Sequence, residues 1–86
     1  MKKMAYRSGF RSMKALELTV PQKDIFYLSW NLDACEGLGF LETNDASSGR
    51  VTIYTPSQLI EDVYSFIEGV RGEGVNVIIN NVRELD

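Results

Sequence analysis

The run Leu38-Gly39-Phe40-Leu41-Glu42-Thr43-Asn44-Asp45-Ala46-Ser47-Ser48-Gly49-Arg50-Val51-Thr52-Ile53-Tyr54 decides the architecture. Its two ends have strand composition, and its middle, from Asn44 to Gly49, is dense in turn formers. A strand over 38–43, a turn, and a strand over 50–54 with Val51 and Ile53 on one side make a hairpin. One residue pattern stays open within it. Either Leu38 and Phe40 or Gly39 and Leu41 face inward.

A helix and then a strand flank the hairpin on each side. Upstream, Leu16, Leu18 and Val20 alternate with Glu17 and Thr19, the period-2 pattern of a half-buried strand. Pro21 ends it, because proline donates nothing to a ladder. The helix expected over 22–36 places Ile25, Leu28, Leu32 and Cys35 on one face, with Phe26 at the flank. Asp24 falls in its first turn, where the dipole favours an anion, and Gly37 stands at C′. Downstream, Thr55-Pro56-Ser57-Gln58 reads as a capping box with Thr55 at N-cap, and Tyr54 and Leu59 read as its hydrophobic staple. Leu59, Ile60, Val63, Phe66, Ile67 and Val70 then form a stripe at spacings of three and four. Gly69, Gly72 and Gly74 unwind it, and a last strand is expected over 75–80.

Two right-handed βαβ halves joined by a hairpin give an α+β, ferredoxin-like βαββαβ two-layer sandwich. Its antiparallel sheet has the order 4-1-3-2, with both helices on one face covering Leu16, Leu18, Val20, Val51, Ile53, Val77 and Ile79. The other face is left open, and Glu17, Thr19, Thr52, Tyr54, Asn76 and Ile78 are its expected occupants, with Leu41 as an addition. The uncharged run 75–80 is expected at an edge, where something must cover it. We expect a flexible basic arm over 1–13, a folded domain over 14–82 and a frayed polar tail over 83–86.

Charge divides the 86 residues unevenly. Residues 1–14 hold five basic side chains and no acid, and the remainder holds four basic against twelve acidic, so +5 is followed by −8 in a chain of net −3. The basic part interleaves Tyr6 and Phe10 with Lys2, Lys3, Arg7 and Arg11, a pattern able to contact phosphates and stack on bases. The acidic domain opposes that, so nucleic acid is an unfavoured partner. Met4 and Met13 are alternative starts. No apolar stretch is long enough for a membrane span, and none follows the basic start as a secretory signal requires. A single cysteine fits a reducing cytoplasm.

Chain chemistry is sparse. Histidine is absent, which removes the commonest general base and metal ligand. Cys35 has the negative end of a helix and Glu36 beside it, both opposed to a reactive thiolate, and fits the buried stripe. Glu36, Glu42 and Asp45 are placed so that they could approach one another where the first helix and the hairpin meet, and Glu61 and Asp62 lie on the second helix, but no spacing matches a metal loop. Glu68 and Arg71 read as a surface pair. The glycines lack the lysine of a phosphate loop. Trp30, off the centre of its stripe, is either a core flank or an interface anchor. No catalytic residue, cofactor or metal site is expected.

The runs Leu18-Thr19-Val20-Pro21-Gln22-Lys23-Asp24-Ile25, Asp33-Ala34-Cys35-Glu36-Gly37-Leu38 and Leu41-Glu42-Thr43-Asn44-Asp45 resemble the domain-of-unknown-function family numbered 4911. The resemblance spans roughly 14–80 and implies a small cytoplasmic bacterial protein with no assigned activity. The leading expectation is a non-enzymatic regulatory or protein-interaction module, a homodimer through the open sheet face. A small-metabolite sensor of ACT type at a dimer interface is one alternative, although Val20-Pro21-Gln22-Lys23 lacks the glycine typical of such sites. Weak RNA binding through the arm is the other.

Overall fold

Strand β1, Met13–Thr19, runs through the middle of the sheet because its neighbours on both sides have residues to pair with it. The structure, a computed structural model, describes residues 12–85. After β1 come helix α1 (Ile25–Ala34), β2 (Phe40–Asp45), β3 (Arg50–Pro56), helix α2 (Ile60–Gly72) and β4 (Ile78–Leu85). All pairings are antiparallel, in the order β2-β3-β1-β4, which is the expected 4-1-3-2 order counted from the other edge. Leu16 pairs with Ile53 and Leu18 with Val51, so alternate residues of the two central strands share a face. Both helices lie on that face. Leu28 and Leu32 from α1 and Val63, Ile67 and Val70 from α2 join those four strand residues in one buried core.

Each helix opens with a proline and a single 3₁₀ turn. Pro21 precedes Gln22–Asp24 and Pro56 precedes Ser57–Leu59. The expected capping box does not form. Pro56 is extended, with ψ 141°, and no side chain caps the turn. Thr55 stays in β3, as the residue before a proline tends to. It is fully buried, and its hydroxyl donates to the Leu38 carbonyl at 2.8 Å.

Several boundaries differ from expectation. Helix α1 stops at Ala34, because Cys35 turns out of helical conformation (φ −92°, ψ 78°). Cys35 is therefore exposed, not part of the buried stripe. Strand β2 starts two residues late, at Phe40. Leu41 packs on the core and Phe40 stands on the open face, which removes Leu41 from the open-face set. Strand β4 is displaced most. β1 pairs with it only as far as Thr19 opposite Ile78, so Val75, Asn76 and Val77 have no strand to join. Val75 and Val77 are buried nevertheless, in extended chain outside the ladder. The Val77 carbonyl accepts from Arg71 Nε at 3.1 Å and Nη2 at 2.8 Å instead.

The ladder then continues past the expected end. Arg83, Glu84 and Leu85 pair with Ala15, Lys14 and Met13, where a frayed tail was expected. The edge strand accordingly carries charge in its second half. A register shift opposite Glu17 and Leu18 lets both parts of β4 pair with β1. In the hairpin, Gly49 has φ +76°, and its carbonyl accepts the Val20 N–H at 2.9 Å. A Cβ on Gly49 would run into the Val20 backbone, so glycine is required there for two reasons.

Candidate functional site

The sheet face opposite the helices has no element over it among the described residues. Cross-strand neighbours build it row by row. Phe40 opposes Tyr54, which opposes Ala15, which opposes Arg83; Glu42 opposes Thr52, which opposes Glu17. The Phe40 and Tyr54 rings stack with centroids 5.0 Å apart and planes at 27°. Phe40 is 57% exposed, a large apolar group left in water.

Polar groups on this face are bonded to each other. Tyr54 donates its hydroxyl to Glu42 Oε1 at 2.8 Å, which pushes its own pKa up, with partial burial adding to the effect. Thr52, almost wholly buried, donates to Asn44 Oδ1 at 2.7 Å. Arg83 Nε donates to Glu17 Oε2 at 2.6 Å. Asn80 donates to Thr19 Oγ1 at 2.7 Å. Between these pairs lies a groove of about 410 Å³, with Arg50, Asn44, Asn80 and Arg83 around it.

Five of the residues expected on the open face are therefore there: Glu17, Thr19, Thr52, Tyr54 and Ile78, the last paired with Thr19 at the end of the β1–β4 ladder. Asn76 is not, because it precedes β4. It lines, with Thr19 and the half-exposed Ile78, a hollow of about 310 Å³ beside Pro21 and Ser48. Trp30 lies in the other layer, on α1, and is 65% exposed. The candidate nucleic-acid residues Lys2, Lys3, Arg7 and Arg11 lie outside the described residues. Phe40 and Arg83, which complete the face, were hidden in the sequence. Phe40 sat in a run with no clear period, and Arg83 in the presumed tail.

The carboxylates do not converge. Glu42 is taken by Tyr54, and Asp45 accepts from the Ser47 hydroxyl at 2.8 Å and backbone N–H at 3.1 Å. Those serine hydrogen bonds, with Ser48, hold Asp45 below the usual carboxylate range. Among the described residues no group of three Cys, Asp or Glu side chains could hold a metal ion. Glu68 and Arg71 do form the expected pair, and Arg71 has the second role of closing onto the Val77 carbonyl.

A family model of a domain of unknown function (DUF4911) matches residues 18–73, more than half of the chain. The chain belongs to the DUF4911 family. The match runs from β1 through α2 and stops before β4, so it takes in the hairpin, both helices and the Phe40–Tyr54 stack. No curated protein matches the chain, and no solved structure does. No helix among the described residues is long and apolar enough to cross a membrane.

Proposed function

We propose that this DUF4911 chain is a non-enzymatic interaction module of the cytoplasm whose open sheet face meets a second copy of itself. The exposed Phe40–Tyr54 stack carries this reading, because it places an aromatic anchor on a face that no element among the described residues covers. The surrounding polar groups support it too. They are bonded within the face, as in a rim that keeps its hydrogen bonds on docking, and are not aimed at a common point in space. The carboxylates with displaced pKa values, Asp45 and Glu84, are both displaced downward, away from a general acid at neutral pH.

Four strands about 4.8 Å apart and some seven residues long present a flat area of roughly 400 Å². That is about half of what each partner buries in a standard interface, so the dimer is expected to be weak and concentration-dependent. Light scattering over a concentration series tests it. The mass should rise toward twice that of the chain, and Phe40→Glu should keep it monomeric with an unchanged circular dichroism spectrum. A wild-type chain that stays monomeric at the highest soluble concentration defeats the proposal.

The groove around Arg50 and Arg83 favours one further reading, a small carboxylate-bearing metabolite held on the same face. Thermal unfolding in the presence of individual amino acids separates the two. A rise in Tm with one compound supports the metabolite, and no rise with any leaves the protein partner alone.

A further inference from the structure

We infer that the outer face of α1 is a docking site for the chain's own first eleven residues. Three aromatic rings stand on this face. Phe26 is 73% exposed, Trp30 65% and Tyr27 40%. Phe26 and Trp30 are four residues apart on the helix, and their rings meet with centroids 5.6 Å apart at a tilt of 51°. Beside them Tyr27, Trp30, Asn31 and Ala34 line an apolar hollow of about 280 Å³. Leaving such a cluster in water forfeits its burial, and a patch of this kind on a small protein marks a contact surface.

Charge identifies the occupant. Helix α1 carries Asp33 and no basic residue, and Glu36 follows it. Glu73, from the turn after α2, reaches the same flank and accepts the Tyr27 hydroxyl, which raises the Tyr27 pKa. Lys23, the basic residue just before the helix, lies against Asp24 at 3.2 Å. The face is thus aromatic and negative, and it fits a segment that mixes aromatic rings with cations. Residues 1–11 are such a segment. They hold Lys2, Lys3, Arg7 and Arg11, no acid, and Tyr6 and Phe10 at the same spacing of four as Phe26 and Trp30.

Reach permits it. The Ser12 carbonyl accepts the Ser57 N–H at 3.0 Å, which fixes where the segment joins the fold. That end of the sheet also holds the loop closing α1, where Thr55 bonds the Leu38 carbonyl. Only two strand spacings, roughly 10 Å, separate the two points. Eleven residues extend up to roughly 35 Å, and α1 is about 15 Å long. Tethering then supplies a high effective concentration without a second molecule. This face lies on the helix layer, so the inference stands or falls separately from the sheet-face dimer.

Trp30 is the only tryptophan in the chain and reports on the site directly. The experiment is acrylamide quenching of its emission in the full chain, at low and high salt. It is compared with two full-chain variants: Lys2→Ser, Lys3→Ser, Arg7→Ser and Arg11→Ser together, and Tyr6→Ser with Phe10→Ser. Both variants should be quenched more strongly, by roughly twofold, since an uncovered ring is open to collision on a second face. High salt should move the wild type toward the charge variant. Equal quenching in all three chains overturns the inference. So does protection that appears only as concentration and mass rise together, since that seats a second copy on α1.

Discussion

The two halves of the molecule enter their helices by one route and then diverge. Pro21 and Pro56 share nearly the same backbone, φ −58° with ψ 140° and 141°. Each is followed by one 3₁₀ turn, and the next helix starts with its first N–H bonded back to the turn, Ile25 to Gln22 and Ile60 to Ser57. Each half leaves its helix through a glycine of positive φ, Gly37 or Gly74. On this common frame the side chains do different things. Helix α2 sends Val63, Ile67 and Val70 into the core, with Ile60 and Phe66 packed against it. Helix α1 buries only Leu28 and Leu32 and turns Phe26, Tyr27 and Trp30 outward. The fold asks for no aromatic on that side, as α2 demonstrates. The rings of α1 are therefore surface chemistry carried by a structural helix.

The sharpest way to break this comparison is to truncate both faces of α1. Leu32 is fully buried, so Leu32→Ala removes packing from a core close-packed on all sides and should cost about 2–5 kcal/mol. Trp30→Ala should cost less than about 1 kcal/mol, as substitutions of exposed groups do. Urea denaturation of the two variants decides it. If Trp30→Ala destabilises as much as Leu32→Ala, the outward rings are part of the core and the contrast between helices fails.

Next in size is the join between the halves. Gly49→Ala should cost about 2 kcal/mol or more, since it demands a left-handed backbone from a residue with a Cβ and pushes that atom into Val20. Gly69→Ala is its counterpart inside α2. No atom lies within 4 Å of the added methyl, so the change should stabilise by up to about 1 kcal/mol. Thermal melts of the pair should move in opposite directions. A loss of stability in Gly69→Ala would show that α2 is less regular than its stripe implies.

Local pattern made β1, β3 and the stripe of α2 legible in the sequence, because period-2 and period-3.6 burial is written in the residues themselves. What stayed hidden depended on partners far along the chain. Val75, Val77 and Ile79 alternate as a strand should, and all three do pack inward, yet a ladder needs a neighbour and β1 pairs no further than Thr19 opposite Ile78. The letters of Thr55-Pro56-Ser57-Gln58 fit a capping box, but Thr55 is claimed by the carbonyl of Leu38, seventeen residues away. The candidate site suffered likewise. Glu17, Thr19, Thr52 and Tyr54 were readable from the parity of β1 and β3. Phe40 was not, because Leu38 to Leu41 offers apolar residues on both parities and only the pairing with Tyr54 selects one. Arg83 was lost with the presumed tail.

The smallest effect concerns the last strand, where the second half is fastened to the first. Glu84 accepts hydrogen bonds from Lys14 Nζ, from Ser12 Oγ at 2.9 Å and from Ser57 Oγ at 3.2 Å, so one carboxylate joins the start of β1, the entry to α2 and the end of β4. The Lys14 hydrogen bond, followed by that of Ser12, lowers its pKa below the ordinary 4.5. A carboxylate whose folded pKa is depressed stabilises the fold above its unfolded value, and that contribution is lost as pH falls through the folded value. Glu84→Gln should therefore be slightly less stable than the wild type at neutral pH, and the difference should shrink as pH falls below 4.5. Asp45 has the same sign but draws its hydrogen bonds from Ser47 and Ser48, within its own turn. Asp45→Asn should thus alter the hairpin alone, whereas Glu84→Gln should also raise amide exchange at Met13 and Lys14, opposite Leu85 and Glu84. Equal exchange in both variants would mean that the halves are held by the ladder itself, with the carboxylate an exposed bystander.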